Sequence, residues 1–290
     1  MMKPYIDTLS QRRLDEGGFA AVENGSYRVE ATAWAVLALK TGYNDPHLIE
    51  SARMRLISNQ LDNGSICVSP QNPNVWWPTP LAVFAWQGAV EYDIYQSRAI
   101  RFLLDTTGAH PPYNPESPVG HDTAIKGWPW TAETHSWVEP TALSLMALQV
   151  SGHGQHKRAL EATDLLLNRQ LPSGGWNYGN TTVFGKELRP MPEYTGVALQ
   201  ALVGRVGRPA IAKSLDYLKH QIKILSTPFA LGWAVLALKA WGEFSEVYNG
   251  KIIKSLNQQS RYGTYDTMKL SLLIIANSVA TGLMDLFNKG

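Results

Sequence analysis

An all-α fold, with six helix-hairpin units closed into an α/α toroid, follows from an internal repeat, an alternation of two helix types and a recurring glycine-centred punctuation. The run Trp34-Ala35-Val36-Leu37-Ala38-Leu39-Lys40 recurs letter for letter from Trp233 to Lys239. A looser version begins at Glu30-Ala31-Thr32-Ala33, Glu139-Pro140-Thr141-Ala142 and Glu193-Tyr194-Thr195-Gly196, and each reaches an Ala-Leu pair in the same phase. With 79–90 and 267–280 these segments are apolar almost all round, as fully buried helices are.

A more polar helix precedes each of them. In the fourth unit Ala159, Leu160, Thr163, Leu166 and Leu167 share one face, while Lys157, Arg158, Glu161 and Asp164 share the other. The same reading places outer helices near 3–14, 47–60, 94–105, 209–221 and 246–259. No pair can bury its apolar face alone, so closing six pairs into a double ring is the economical solution, and 1–290 reads as one domain.

Between outer and inner helices the chain repeats a Gln, then a Gly, then a large apolar residue two positions on: Gln170 to Gly174 to Trp176, and more weakly Gln60 to Gly64 to Ile66, Gln259 to Gly263 to Tyr265, and Gln11 to Gly17 to Phe19. Gly permits the turn, the large side chain fills the gap between units, and Gln bonds exposed helix-end groups. These residues are structural staples.

Hydrophobic residues make up 44% of the chain and charged residues 17%, enough for a large core. A net charge of +2 gives no electrostatic case for nucleic acid as a partner. The single Cys67 allows neither an intramolecular disulfide nor a thiolate-cluster metal site. No signal-like run opens the sequence, and its most apolar stretch, 270–283, falls short of the roughly 20 residues of a bilayer crossing. A cytoplasmic location is expected, with peripheral membrane contact compatible with it. Composition does not define the oligomeric state.

The Gln-x-x-x-Gly-x-Trp pattern at Gln170–Trp176 resembles the QW motif of squalene-hopene and oxidosqualene cyclases, relatives of the protein prenyltransferases. Trp137-Val138-Glu139-Pro140-Thr141-Ala142 looks like the place where those cyclases carry Asp-x-Asp-Asp-Thr-Ala. The resemblance covers nearly the whole chain, about one barrel where triterpene cyclases have two. It implies a toroid with a central aromatic cavity for an isoprenoid, and puts Glu139 at the middle aspartate, the proton donor. Trp137 and Pro140 replace the other two aspartates. The prenyltransferase zinc site is missing its first ligand, since Ser65 stands two before Cys67, and thioester toroids need Cys-Gly-Glu-Gln where Cys67 is followed by Val68.

Three successive outer-to-inner connections are long, 61–78, 106–138 and 171–192, and the alternation of helices puts them at one end of the ring. Long loops in compact domains are commonly functional, so these are expected to form a lid over a mouth made by the inner-helix N-termini. Trp34, Phe84, Trp86, Trp128, Trp130, Trp137 and Tyr194 are the expected substrate-binding surface, with Glu30, Glu193 and the catalytic candidate Glu139 ringing the mouth. A carboxylate at a helix N-terminus is also favoured by the dipole alone. His110, His121, Asp122, Glu133 and His135 fit no metal-ligand spacing, and neither metal nor cofactor is expected.

Two functions follow from the resemblance: a protonation-initiated terpene cyclase or isomerase, and a non-catalytic isoprenoid or lipid-binding protein that lost the Asp-x-Asp-Asp acid. A structural interaction module using the lid is the alternative from a different class.

Overall fold

A computed structural model describes residues 2–42, 45–114 and 116–287. The outer helices are α1 (Lys3–Ser10), α3 (Pro46–Ile57), α5 (Asp93–Asp105), α7 (Lys157–Asn168), α9 (Arg208–Gln221) and α11 (Glu246–Asn257). The inner ones are α2 (Val29–Leu39), α4 (Thr79–Trp86), α6 (Val138–Val150), α8 (Pro192–Ala201), α10 (Pro228–Ala240) and α13 (Thr267–Ser278), the last preceded by the single turn α12 (Gln259–Tyr262). Each inner helix packs against the next, and α13 packs back on α2, so the inner ring is closed. The only strands among the described residues are β1 (Thr182–Val183) and β2 (Lys186–Glu187), a two-residue hairpin.

Sequence chemistry explains both layers. From Ala31 to Leu39 every residue of α2 is buried, as is every residue of α4, which matches their apolar character on all faces. The outer helices bury one stripe each, such as Ala159, Ala162, Leu165 and Leu166 in α7. At the ring centre Trp34 and Trp233, equivalent residues of the identical repeats, meet edge to face with centroids 5.7 Å apart. Gly196 makes room for this contact, because a Cβ there would press on the Trp233 backbone and Cβ.

The punctuation builds one hydrogen-bonded staple four times. The inner-helix threonines Thr32, Thr79, Thr141 and Thr195 accept, at 2.9–3.0 Å, the backbone N–H of Phe19, Ile66, Trp128 and Trp176. The indoles of Trp128 and Trp176 then donate to the carbonyls of Leu103 and Leu166, near the ends of outer helices α5 and α7. The glutamines do more than cap their own helix. Gln60 reaches the Tyr95 carbonyl on α5 at 2.8 Å, and Gln170 reaches the Ser214 hydroxyl on α9 at 2.7 Å, so each ties its unit to the next. Gly64 and Gly174 have φ of +92° and +95°, and a Cβ at either would strike the backbone of the following outer helix, at Arg98 and Lys213.

The ring closes at a seam. Arg12, at the end of α1, donates to the Tyr265 carbonyl at 2.7 Å and to the Thr267 hydroxyl at 3.2 Å. Thr267 in turn donates its backbone N–H to the Ala21 carbonyl. At the opposite end of the ring, residues 280–287 fold under the inner helices. Phe287 stacks on Phe84 at 5.4 Å, and the Leu283 N–H donates to Gln200 of α8.

Replacing Thr141 or Thr195 by Val keeps the shape but strands a buried backbone N–H. Each change is expected to cost about 1–3 kcal/mol in urea unfolding, whereas Thr8→Val, which removes an exposed hydroxyl bonded within α1, should stay within about 0.5 kcal/mol. Equal midpoints for all three variants would refute the staple.

Candidate functional site

The three long connections meet at the inner-helix N-terminal end, as the alternation requires. The Ala132 N–H donates to the Asn74 carbonyl, and Trp77 lies edge to face with Trp130 at 5.5 Å, joining the first connection to the second. Val119 bridges to Val183 and the Val138 N–H donates to the Tyr178 carbonyl, joining the second to the third.

Glu139 sits in the first turn of α6. The helix begins at Val138 and Pro140 is its third residue, where a proline is tolerated because the N–H it lacks would have no intrahelical partner. Protein surrounds the Glu139 carboxyl, while the residue as a whole keeps some accessible surface. It makes no hydrogen bond or ion pair among the described residues. Burial, and then the nearby charge of Glu193, push its pKa up to about 8. The N-terminal dipole of α6 favours the carboxylate, and desolvation outweighs it.

Around it stand Glu193 and Tyr194 at the start of α8, and the same surroundings raise the Tyr194 phenol to about 12 through burial, Glu139, Glu193 and Tyr178. Trp137 immediately precedes α6, with its ring 5.7 Å from Tyr178 and 4.0 Å from His135. Trp137, Glu139, Glu193 and Tyr194 therefore form one cluster at the mouth, with Tyr178 as a member that sequence reasoning missed. Tyr178 lies in a connection with no repeat register to mark it.

The remaining candidates are elsewhere. Glu30 is paired with Arg28 at 2.7 Å, with its second oxygen buried and unpartnered, beside a cavity of about 410 Å³ between the starts of α2 and α13. Trp130 packs against Trp77. Trp34 is in the ring centre against Trp233, and Phe84 is under the 280–287 segment at the far end, where it cannot share a mouth with Glu139. Trp86 is fully buried between α4 and α3, donating to the Arg53 carbonyl and stacking on Tyr92. Trp128 is buried too, with the Arg158 guanidinium 4.1 Å over its ring. Expected as substrate-binding surface, Trp128 is instead the staple of the third unit, the counterpart of Ile66 and Trp176.

Further cavities are found away from the ring centre. One of about 380 Å³ lies at the opposite end, between Lys40, Val279 and Leu286. One of about 270 Å³ lies within the long connections, walled by His121, Trp137 and Arg169. Among the described residues no group of three or more His, Cys, Asp and Glu side chains could hold a metal ion, and no helix is long and apolar enough to cross a membrane.

No protein-family model and no curated relative matches the chain. Solved structures do. A protein from Actinoplanes superposes with a TM-score of 0.64 at 16% identity, over 97% of this chain and 98% of that one. The type II terpene cyclase MstE from Scytonema, in a variant's complex with its substrate geranylgeranyl dihydroxybenzoate, gives 0.62 at 14% identity over 97% of both chains. Haptocorrin in complex with Cbi gives 0.52 at 14% identity, over 98% of this chain and 67% of that one. The chain thus has the α/α toroid fold of the terpenoid cyclases, a fold that haptocorrin also carries.

Proposed function

We propose that the chain binds an isoprenoid-like ligand at the mouth formed by the inner-helix N-termini and covered by the long connections as a lid, with Glu139 presented to it as a neutral carboxylic acid. The observation that carries this reading is the unpartnered, buried Glu139 carboxyl, with its pKa near 8, close enough to Glu193 and Tyr194 for their charges to act on one another. A group in that state carries a transferable proton at neutral pH, which is the first requirement of protonation-initiated cyclisation or isomerisation. Aromatic faces beside it would stabilise a cation that formed there. The likeness to a type II terpene cyclase supports the same class of chemistry.

A second reading, a carrier without turnover, is favoured by a specific observation: the ring centre is filled by Trp34 and Trp233, leaving the mouth and the lid to hold a ligand. An acid that keeps its proton to about pH 8 is also a weak one, better suited to hydrogen-bonding a polar head than to protonating an isolated alkene. Its likeness to haptocorrin accords with this, since that protein was solved with Cbi bound.

The two readings separate in one experiment. Geranylgeraniol and geranylgeranyl dihydroxybenzoate are titrated against tryptophan fluorescence, and extracts are analysed for cyclised products, with wild type and Glu139→Gln compared. The catalytic reading expects both proteins to bind and the variant to lose turnover by about 100-fold or more. Binding without product by the wild type selects the carrier. Absence of binding by the wild type removes both.

The raised pKa also makes a stability prediction. In the unfolded chain the Glu139 carboxyl titrates near 4.5 and in the folded protein near 8, so the folded state holds the proton more tightly. The group's contribution is intact below about pH 4.5 and is lost as pH rises through 8. Relative to wild type, Glu139→Gln should gain stability across that window, by at most about 5 kcal/mol, and then level off. Urea titrations showing a constant difference between the two proteins from pH 4.5 to 8.5 would contradict the assignment.

A further inference from the structure

The cavity of about 270 Å³ within the long connections has an unbalanced charge. Arg169, at the end of α7, is 4% exposed and lines it. Its Nη1 donates to the Asp122 carbonyl at 2.9 Å and to Asn168 Oδ1 at 2.6 Å, both neutral acceptors, while its Nε is buried without a partner. No carboxylate of the described residues comes within ion-pair distance. Asp122 acts on it only from further away, and Asp122 Oδ1 already accepts the Ala124 N–H. Burying a cation without a counter-charge is costly, and native proteins generally pair it.

No acidic residue lines the rest of the wall. His121 is 6% exposed, and its Nδ1 is also buried without a partner. Burial, Arg169 and His135 hold its pKa down to about 4, so the imidazole is a neutral group in a positive field. Pro111, Val119, Ile125 and Trp137 form the apolar part of the lining, which His110, His135 and Asn180 also join. The volume is slightly below the usual range for ligand pockets, which sets the size at a ring or a short branched chain.

We infer that this cavity is a binding site for a small organic anion, a carboxylate or phosphate ester on an apolar body, whose charged end pairs with Arg169 while its body packs against Val119, Ile125 and Trp137. His121 supplies a further hydrogen-bonding atom at the charged end. A guanidinium matches the planar geometry of a carboxylate and the oxygens of a phosphate equally, so both head groups satisfy the site. The inference does not depend on the role of Glu139, because Arg169 would need its counter-charge whether or not the mouth binds an isoprenoid.

The test uses the full chain and four probes of graded chemistry: benzoate, phenyl phosphate, inorganic phosphate and the uncharged benzyl alcohol. Calorimetric titration should show benzoate or phenyl phosphate binding at least tenfold more tightly than benzyl alcohol and than inorganic phosphate, with a rise in melting temperature. Whichever of the two organic anions is tighter identifies the head group. Arg169→Gln should weaken the tighter anion at least tenfold. Val119→Phe, which fills the cavity and leaves the charge in place, should do the same with the circular dichroism spectrum of the wild type, and it decides the matter if Arg169→Gln does not fold. The inference is overturned if neither organic anion binds the wild type, if benzyl alcohol or inorganic phosphate binds as tightly, or if a folded variant keeps wild-type affinity.

Discussion

Six inner helices that are apolar on every face have no stable arrangement except one in which each is flanked on both sides, and that condition fails at the two ends unless the ends meet. The bonds from Arg12 to Tyr265 and Thr267 are therefore the constraint on which the rest depends. They join the first hairpin to the last and let α13 and α2 serve as neighbours. The Thr-to-backbone staples then recur in four units, each fixing an inner helix to its own connection with a buried hydrogen bond, and the ties from Gln60 and Gln170 join their units to the next.

Closure has a cost for any binding site at the axis. Trp34 and Trp233 fill the centre, and Phe287 against Phe84 fills the lower end, so apolar side chains satisfy one another where an open toroid would hold a ligand. Around the inner-helix N-termini and in the connections above them, the Glu139 carboxyl, the second oxygen of Glu30, Nδ1 of His121 and Nε of Arg169 have no partner, and elsewhere the same holds for the Trp233 indole nitrogen at the ring centre and for side-chain amide atoms of Gln149 and Gln200. Unpartnered polar atoms are rare in native interiors.

The ring was legible in the sequence because burial on all faces leaves few polar letters in the inner helices to obscure the repeat, and the match of Trp34 with Trp233 marks the two equivalent residues that meet at the centre. The site was legible only in part. Trp137, Glu139, Glu193 and Tyr194 could be placed at one end by helix register alone. Trp128 could not be recognised as a staple because its unit lacks the Gln and the first Gly of the pattern, having Lys126 two residues before the tryptophan. Trp86 and Phe84 share a helix, yet one points between layers and the other towards the axis at the far end, a distinction that an apolar letter does not carry. The state of Glu139 depended on two opposed forces, dipole and desolvation, and the second is set by how the connections fold over it. For Arg169 nothing local signals isolation: Asp122, its nearest acid in influence, turns its carboxylate to its own loop.

The segment 280–287 follows all six inner helices in chain order, and its partners are residues of α2, α4 and α8: Lys40 over the Phe287 ring, Phe84 beneath it, and Gln200 receiving the Leu283 N–H. Those three contacts come from three separate hairpins, so the plug has nowhere to dock until the hairpins are assembled. Removing the segment would uncover the Phe84 ring and release its contacts to all three hairpins together. One short segment thus clasps hairpins that are far apart in sequence, and it does so at the end of the ring away from the seam.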